Sequence, residues 1–195
     1  MKIFENRSFM IIAGLVLAMA FTRFNHFGSS VALPDASLAV FFLGGLYLAK
    51  TPGARWIFAA LLAEAALVDY YAITVIGTSA WCVTSAYGFL ALAYGAMWFA
   101  GNWFAPRHTL TGRSLLGVFT VAALACTLAF VISNVSFFLF SGRYAEMSAI
   151  EYASRVGQYL GSYVAVALMY VACAVAAHMV YLLLKGKAHR GSHVA

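Results

Sequence analysis

Apolar residues along the chain collect in six long runs, which short polar stretches separate. A helix needs about 20 mostly apolar residues to cross roughly 30 Å of hydrocarbon. The pattern therefore predicts an all-α integral membrane protein with six transmembrane helices. The predicted spans are 8–24, 36–49, 54–76, 83–104, 114–140 and 154–184.

Some of these runs differ from an ordinary span. The second is short and contains Gly44-Gly45, which predicts a helix that is tilted, broken or only partly spanning. The last two exceed the bilayer and are expected to project from it. The first follows Lys2 and Arg7 as a signal peptide would, but we interpret it as the first membrane helix. Residues 1–195 then form a single transmembrane domain.

Composition supports the membrane class. Hydrophobic residues make up 64% of the chain, charged residues 9%, and the mean hydropathy is +0.88. A water-soluble domain carries roughly 25% charged residues. The formal net charge is +6, but the basic residues are scattered between apolar runs and form no patch. We therefore expect the lipid bilayer as a partner, and no nucleic acid.

Basic residues predict the orientation, because Lys and Arg favour the cytoplasmic side of a membrane. With six spans, both termini share a side with Lys2, Arg7, Lys50, Arg55, Arg107, Arg113, Lys185, Lys187 and Arg190. The opposite side carries only Arg23, Arg143 and Arg155. Both termini are therefore expected in the cytoplasm, and the loops 25–35, 77–82 and 141–153 are expected to face outward.

One cysteine stands apart from the apolar pattern. Cys126 and Cys173 lie within apolar runs, where cysteine usually acts as a small hydrophobic residue. Cys82 lies in a short predicted outer loop, so we expect a free thiol. Thr84 and Ser85 are candidate N-caps for the next helix, whose dipole would favour a thiolate. The alternative is an inert interfacial cysteine.

Polar and aromatic residues accompany this thiol at the predicted outer end. Asp69 and Tyr70 precede the loop, and Tyr87 follows Cys82 by a little more than one helical turn. In the sixth run, spacing places four residues on one helix face, near Tyr163: Arg155, Gln158, Tyr159 and Ser162. Such a face indicates either a cavity or a buried contact between helices.

Two further titratable residues have open roles. His26 in the first outer loop is either a ligand or a solvated surface residue. Glu64 lies in the middle of the third run, where a carboxyl group is either linked to proton movement or paired within the bundle.

The sequence resembles the BtuM-type cobalamin transporters, which are related to the substrate-binding S-components of energy-coupling factor (ECF) transporters. The resemblance covers most of the chain and its predicted six spans. Its specific part is Asp69, Tyr70-Tyr71, Trp81-Cys82 and Tyr87, and outer Asn25-His26-Phe27 and Arg155 are also similar to family positions.

The resemblance implies a function and a site. It implies a protein of the bacterial cytoplasmic membrane that captures cobalamin at the outer face, with Cys82 as an axial ligand of cobalt and the nucleotide base detached. It also implies an association with removal of cyanide from cyanocobalamin. The expected binding residues are His26, Asp69, Tyr70, Trp81, Cys82, Tyr87, Arg155, Tyr159 and Tyr163.

Energy supply and alternative functions stay open at this point. The sequence has no GxxxxGK[ST] motif, so an ATPase would be a separate ECF module, and Gly14 and Ala18 form a small-xxx-small pattern suited to close helix approach. One alternative is an S-component for another vitamin or a metal ion. Another is a membrane enzyme with Cys82 as nucleophile and His26 as base. Haem ligation by His26 and His178 is disfavoured, because these residues are predicted near opposite faces of the membrane.

Overall fold

The computed structural model describes the backbone of residues 2–23 and 33–191, and the side chains of 7–23 and 33–185. Within these ranges the chain is all-α, as predicted, and no strand is present. The helices are α1 (Lys2–Arg23), α2 (Ser37–Leu48), α3 (Ala54–Tyr71), α4 (Leu90–Phe104), α5 (Gly112–Phe140), α6 (Ala149–Gly157) and α7 (Leu160–Gly191).

Three helical stretches in the described part of the chain are long and apolar enough to cross a membrane. They are Ala54–Ile76, Gly112–Phe140 and Leu160–Lys185. The other predicted spans form helices that are shorter or carry charges in their end turns. α4 has 15 residues, and α1 has Arg7 near one end and Arg23 at the other.

Helix α2 is the buried centre of the bundle. It has 12 residues, and all of them except Tyr47 are buried. At 1.5 Å per residue its length is about 18 Å, well short of the hydrocarbon thickness. The run with Gly44-Gly45 is therefore an unbroken but short helix.

Glycines allow α2 and α4 to pack backbone against backbone. A Cβ atom on Gly45 would overlap the carbonyl oxygen of Trp98, and one on Gly101 would overlap that of Phe42. Because neither glycine has a side chain, the backbones of the two helices can come into direct contact. α2 is therefore held in the bundle by its close contact with α4, although it is too short to cross the hydrocarbon by itself.

The segment that carries Cys82 joins α3 to α4. α3 continues into a wider π turn, Ala72–Ile76, which ends at Gly77 with a φ of 81°. After a loop, Thr84 caps a 3₁₀ turn at Ser85–Phe89 by accepting a hydrogen bond from the backbone N–H of Ala86 at 3.2 Å. The predicted capping role of Thr84 is confirmed, although it caps a 3₁₀ turn that leads into α4.

The sixth predicted span is wrong at its start, because the chain forms two helices there. The short amphipathic α6 ends at Gly157, and α7 begins at Leu160. Tyr152 is the buried residue of α6, so this helix is held mainly through one side chain. α6 is therefore a separate, mostly exposed helix that precedes the long apolar α7.

Candidate functional site

A buried arginine lies where α1, α2, α3 and α4 meet. The Arg23 side chain is completely buried in the last turn of α1. Its Nε and Nη2 donate to the two carboxylate oxygens of Asp69 at 2.8 and 2.6 Å. This two-bond arrangement is the strongest form of an arginine–carboxylate pair. A charge buried in an apolar bundle requires such a partner.

Three more side chains complete this cluster. Arg23 Nη1 donates to Ser37 Oγ at 2.9 Å and to Tyr94 Oη at 2.6 Å. Asp35 lies 3.5 Å from the same nitrogen and accepts a hydrogen bond from the Ser37 hydroxyl. The guanidinium group therefore connects α1 with the N-terminus of α2 and with the middle of the bundle.

Tyr87 links the cluster to the segment that carries the cysteine. Its hydroxyl donates to Asp69 Oδ2 at 2.7 Å. Asp69 thus receives hydrogen bonds from Arg23 on one side and from the 3₁₀ turn on the other. Both of its oxygens are occupied, which makes Asp69 an anchor for the 77–84 loop in this structure.

Cys82 lies in that loop and is half-buried. Burial and the negative charge of Asp69 raise the pKa of its thiol, and the positive charge of Arg143 opposes this shift. The expected activation to thiolate by a helix N-terminus is therefore not seen, because Cys82 precedes the capped turn and burial dominates. A metal would have to displace the proton.

An arginine and a tryptophan form the surface beside the thiol. The Arg143 guanidinium from the α5–α6 loop lies 4.0 Å from the ring centroid of Trp81. Trp81 is 51% exposed, so this stacked pair lies at the surface of the protein. A broad aromatic face, a cation and a thiol are thus adjacent at this end of the bundle.

The remaining predicted site residues differ from one another in exposure, and none of those in the described part of the chain forms a hydrogen bond with Cys82. Tyr70 and Tyr159 are largely exposed, and Arg155 is exposed on α6. Tyr163 is partly buried and packs edge-on against Phe130, with ring centroids 5.2 Å apart. His26 lies outside the described residues.

Two residues of the polar face predicted for the sixth run form local hydrogen bonds where α6 ends and α7 begins. The Gln158 side chain donates to the backbone oxygen of Arg155 at 2.7 Å. Ser162 Oγ donates to the backbone oxygen of Tyr159 at 2.9 Å. The Tyr159 oxygen also accepts the backbone N–H of Tyr163, so these side chains add local hydrogen bonds at the junction of the two helices.

The principal cavities of the described bundle lie away from the thiol. One, of about 530 Å³, lies between α1, α2 and α7, and the other, of about 470 Å³, lies between α1 and α3. Glu64 lines the second cavity, and neither of its carboxylate oxygens has a hydrogen-bond partner. Among the described residues, no group of three or more His, Cys, Asp or Glu side chains could hold a metal ion.

Three residues of this region were not predicted as site residues. The sequence pattern indicates Arg23 and Arg143 only as charges on the predicted outer side, and it gives Tyr94 no role. An arginine and an aspartate in two different apolar runs are a usable signal, because such charges pair inside membranes. Tyr94 and Arg143 give no comparable signal in the sequence.

No protein-family model matches the chain. No curated protein sequence matches it either. The resemblance to BtuM-type transporters therefore rests on the residues quoted for it.

Proposed function

We propose that the protein is a cobalamin transporter whose Cys82 thiolate binds the cobalt of the corrin ring at the outer face of the bacterial cytoplasmic membrane. In this proposal all six apolar runs cross or enter the bilayer, and both termini are cytoplasmic. The observation that carries it is a free, half-buried thiol that lies in an anchored loop beside an exposed aromatic surface.

A single thiol suits a metal that arrives inside a macrocycle. The corrin supplies the four equatorial nitrogens, so the protein needs to provide only one axial donor. A transporter for a free transition-metal ion would need several donors converging on one point. The described residues offer no such group, which favours the corrinoid over the metal-ion alternative.

The anchored loop gives the thiol a defined position. Arg23 holds Asp69, and Asp69 holds Tyr87 at the start of the segment that leads into α4. Preorganised donors lose less conformational entropy when they bind a ligand. In the proposed complex, Asp69 and Tyr87 act by positioning the loop.

Exposed aromatic rings suit the chemistry of a corrinoid. Trp81, next to Cys82 in the loop, presents an exposed ring on which a flat macrocycle can pack, and in this proposal the exposed rings of Tyr70 and Tyr159 add to it. Arg143 and Arg155 are exposed cations suited to the phosphate of the nucleotide tail. His26 and Tyr163 keep the binding roles expected from the resemblance.

The proposed ligation also explains how cyanide could leave. Thiolate is a strong, polarisable donor, and it weakens the bond on the opposite face of the cobalt. In the balanced exchange, sulfur binds cobalt, cyanide departs with the electron pair of the broken cobalt–carbon bond, and the thiol proton ends on it as hydrogen cyanide, without a change in the oxidation state of the metal. An ECF energising module remains a proposed separate partner.

Visible spectra of purified protein incubated with cyanocobalamin test this function. We expect retained corrinoid with an altered spectrum for the wild type and for the control Cys173→Ser, but not for Cys82→Ser. Because the thiol pKa is raised, thiolate becomes scarcer as pH falls, and retention should decrease by about tenfold per pH unit below that pKa.

Two outcomes would count against the proposal. A wild-type spectrum identical to that of free cobalamin would remove the cobalt–sulfur bond. Growth rescue by a different vitamin, with none by cobalamin, would favour another S-component-like substrate.

A further inference from the structure

The larger cavity is an apolar groove along one side of the bundle. α1 and α7 form its walls and α2 forms its floor, with a volume of about 530 Å³. Gly14, Leu15 and Ala18 line it from α1, and Val40 and Leu43 line it from α2.

Polar groups gather at one end of this groove. Arg7, Tyr47 and His178 line it there, and the His108 ring packs edge-on against Tyr47 at 5.5 Å. The buried Tyr47 hydroxyl, His178 Nδ1 and both ring nitrogens of His108 have no hydrogen-bond partner. Buried polar atoms in proteins usually have hydrogen-bond partners, so several in one place mark a candidate site for a polar group.

The geometry shows that these groups are mostly donors. Arg7 Nη2 lies 3.4 Å from His178 Nε2. Arginine can only donate, so Nε2 accepts and the proton of a neutral His178 is on Nδ1. Arg7, His178 Nδ1 and the Tyr47 hydroxyl can therefore all donate. Burial, His178 and Arg7 lower the pKa of His108, so that its neutral ring adds one more N–H.

The dimensions of the groove match one lipid leaflet. Arg7 and Ala18 both line it and lie eleven positions apart on α1, which corresponds to about 16 Å. This is about half of the hydrocarbon thickness of roughly 30 Å. The polar end is also the end where Lys50, Arg55 and Arg107 lie, as expected for the level of the lipid headgroups.

From these observations we infer that the α1–α2–α7 groove binds one anionic phospholipid, with an acyl chain along the apolar walls and its phosphate bound by Arg7, Tyr47 and His178. A phosphate offers only acceptors to these donors, and it carries the charge that Arg7 requires. The site is separate from Cys82, because residues 82 and 108 lie at opposite ends of α4.

Native mass spectrometry of the delipidated full-length protein in neutral detergent tests this inference. The probes are phosphatidylglycerol, phosphatidylcholine and inorganic phosphate. We expect one phosphatidylglycerol to be retained, with an affinity about five- to tenfold above that of phosphatidylcholine. Inorganic phosphate should not displace it, because the groove also binds the chain.

Variants separate the two ends of the groove. Arg7→Gln should remove the preference for phosphatidylglycerol, whereas Arg55→Gln, at the same end but outside the groove, should not. Gly14→Leu should weaken both lipids, since a Cβ at position 14 meets no atom within 4 Å and the side chain would occupy the groove. Leucine is a better helix former than glycine, so this variant should fold.

Several results would overturn the inference. Equal retention of both lipids by the wild type would exclude recognition of the phosphate. Equal losses for Arg7→Gln and Arg55→Gln would indicate general electrostatic attraction. Displacement by inorganic phosphate alone would indicate a free-anion site, and a stable dimer that excludes lipid would indicate that a second copy covers the groove.

Discussion

At the scale of single residues, Arg23 and Asp69 determine how the candidate site is built. Asp69 was predicted from the sequence as a ligand-binding residue, and the structure adds its pairing with Arg23 and Tyr87. The sequence could indicate the residue types, since charges in apolar runs are rare. It could not indicate which arginine faces which aspartate, because pairing depends on how α1 and α3 are rotated against each other.

Neutralising Asp69 should destabilise the fold strongly. Asp69→Asn leaves the buried Arg23 guanidinium with only Asp35 as a nearby charge, and we expect a loss of about 3 kcal/mol. The double variant Arg23→Met/Asp69→Leu should recover part of it, because the guanidinium and its two-bond carboxylate partner are removed together, while the partly exposed Asp35 loses its 3.5 Å contact with Arg23. Thermal unfolding in detergent measures both.

Glu146→Gln serves as the control for this experiment, because Glu146 is an exposed acid. It should unfold at the wild-type temperature. If Asp69→Asn also did so, the buried pair would not hold the site together.

At the scale of helices, close packing accounts for what the apolar pattern could not predict. The pattern located all the apolar runs but left α2 as tilted, broken or partly spanning. The structure shows a short, continuous helix packed backbone to backbone on α4. The division into α6 and α7 was missed because the polar residues near Gln158 and the apolar residues after Leu160 read as one amphipathic helix.

Adding one methyl group to α4 should test this packing. Gly101→Ala would place a Cβ against the Phe42 carbonyl, and we expect a destabilisation of about 1–3 kcal/mol. Gly95→Ala in the same helix is the matched control, since its Cβ would first meet Phe99 at 4.0 Å. It should be neutral or stabilising, because alanine favours helix. Equal unfolding temperatures for the two variants would contradict the close contact of α2 with α4.

At the scale of the whole molecule, the sequence predicts a membrane protein more firmly than it predicts the number and orientation of the spans. Composition alone indicates the membrane class, and three long apolar helices in the described chain agree with it. The orientation rests on the distribution of basic residues. The proposed binding surface depends on the contact between Arg143 of the α5–α6 loop and Trp81, which no local sequence pattern predicts.

Labelling with a membrane-impermeant maleimide tests the proposed orientation. In cells expressing a chain with Cys126→Ala and Cys173→Ala, Cys82 should react without permeabilisation. With Cys82→Ser and Thr109→Cys added, the exposed residue 109 should react only after permeabilisation. The reverse pattern would invert the protein in the membrane and remove outward capture.

The bond between Cys82 and cobalt is the central claim, and X-ray absorption at the cobalt edge tests it most directly. The measurement uses cobalamin-loaded wild type and Cys82→Ser. We predict a sulfur neighbour of cobalt in the wild type and only lighter neighbours in the variant. A wild-type spectrum without sulfur, matching that of the variant, would contradict the proposed function.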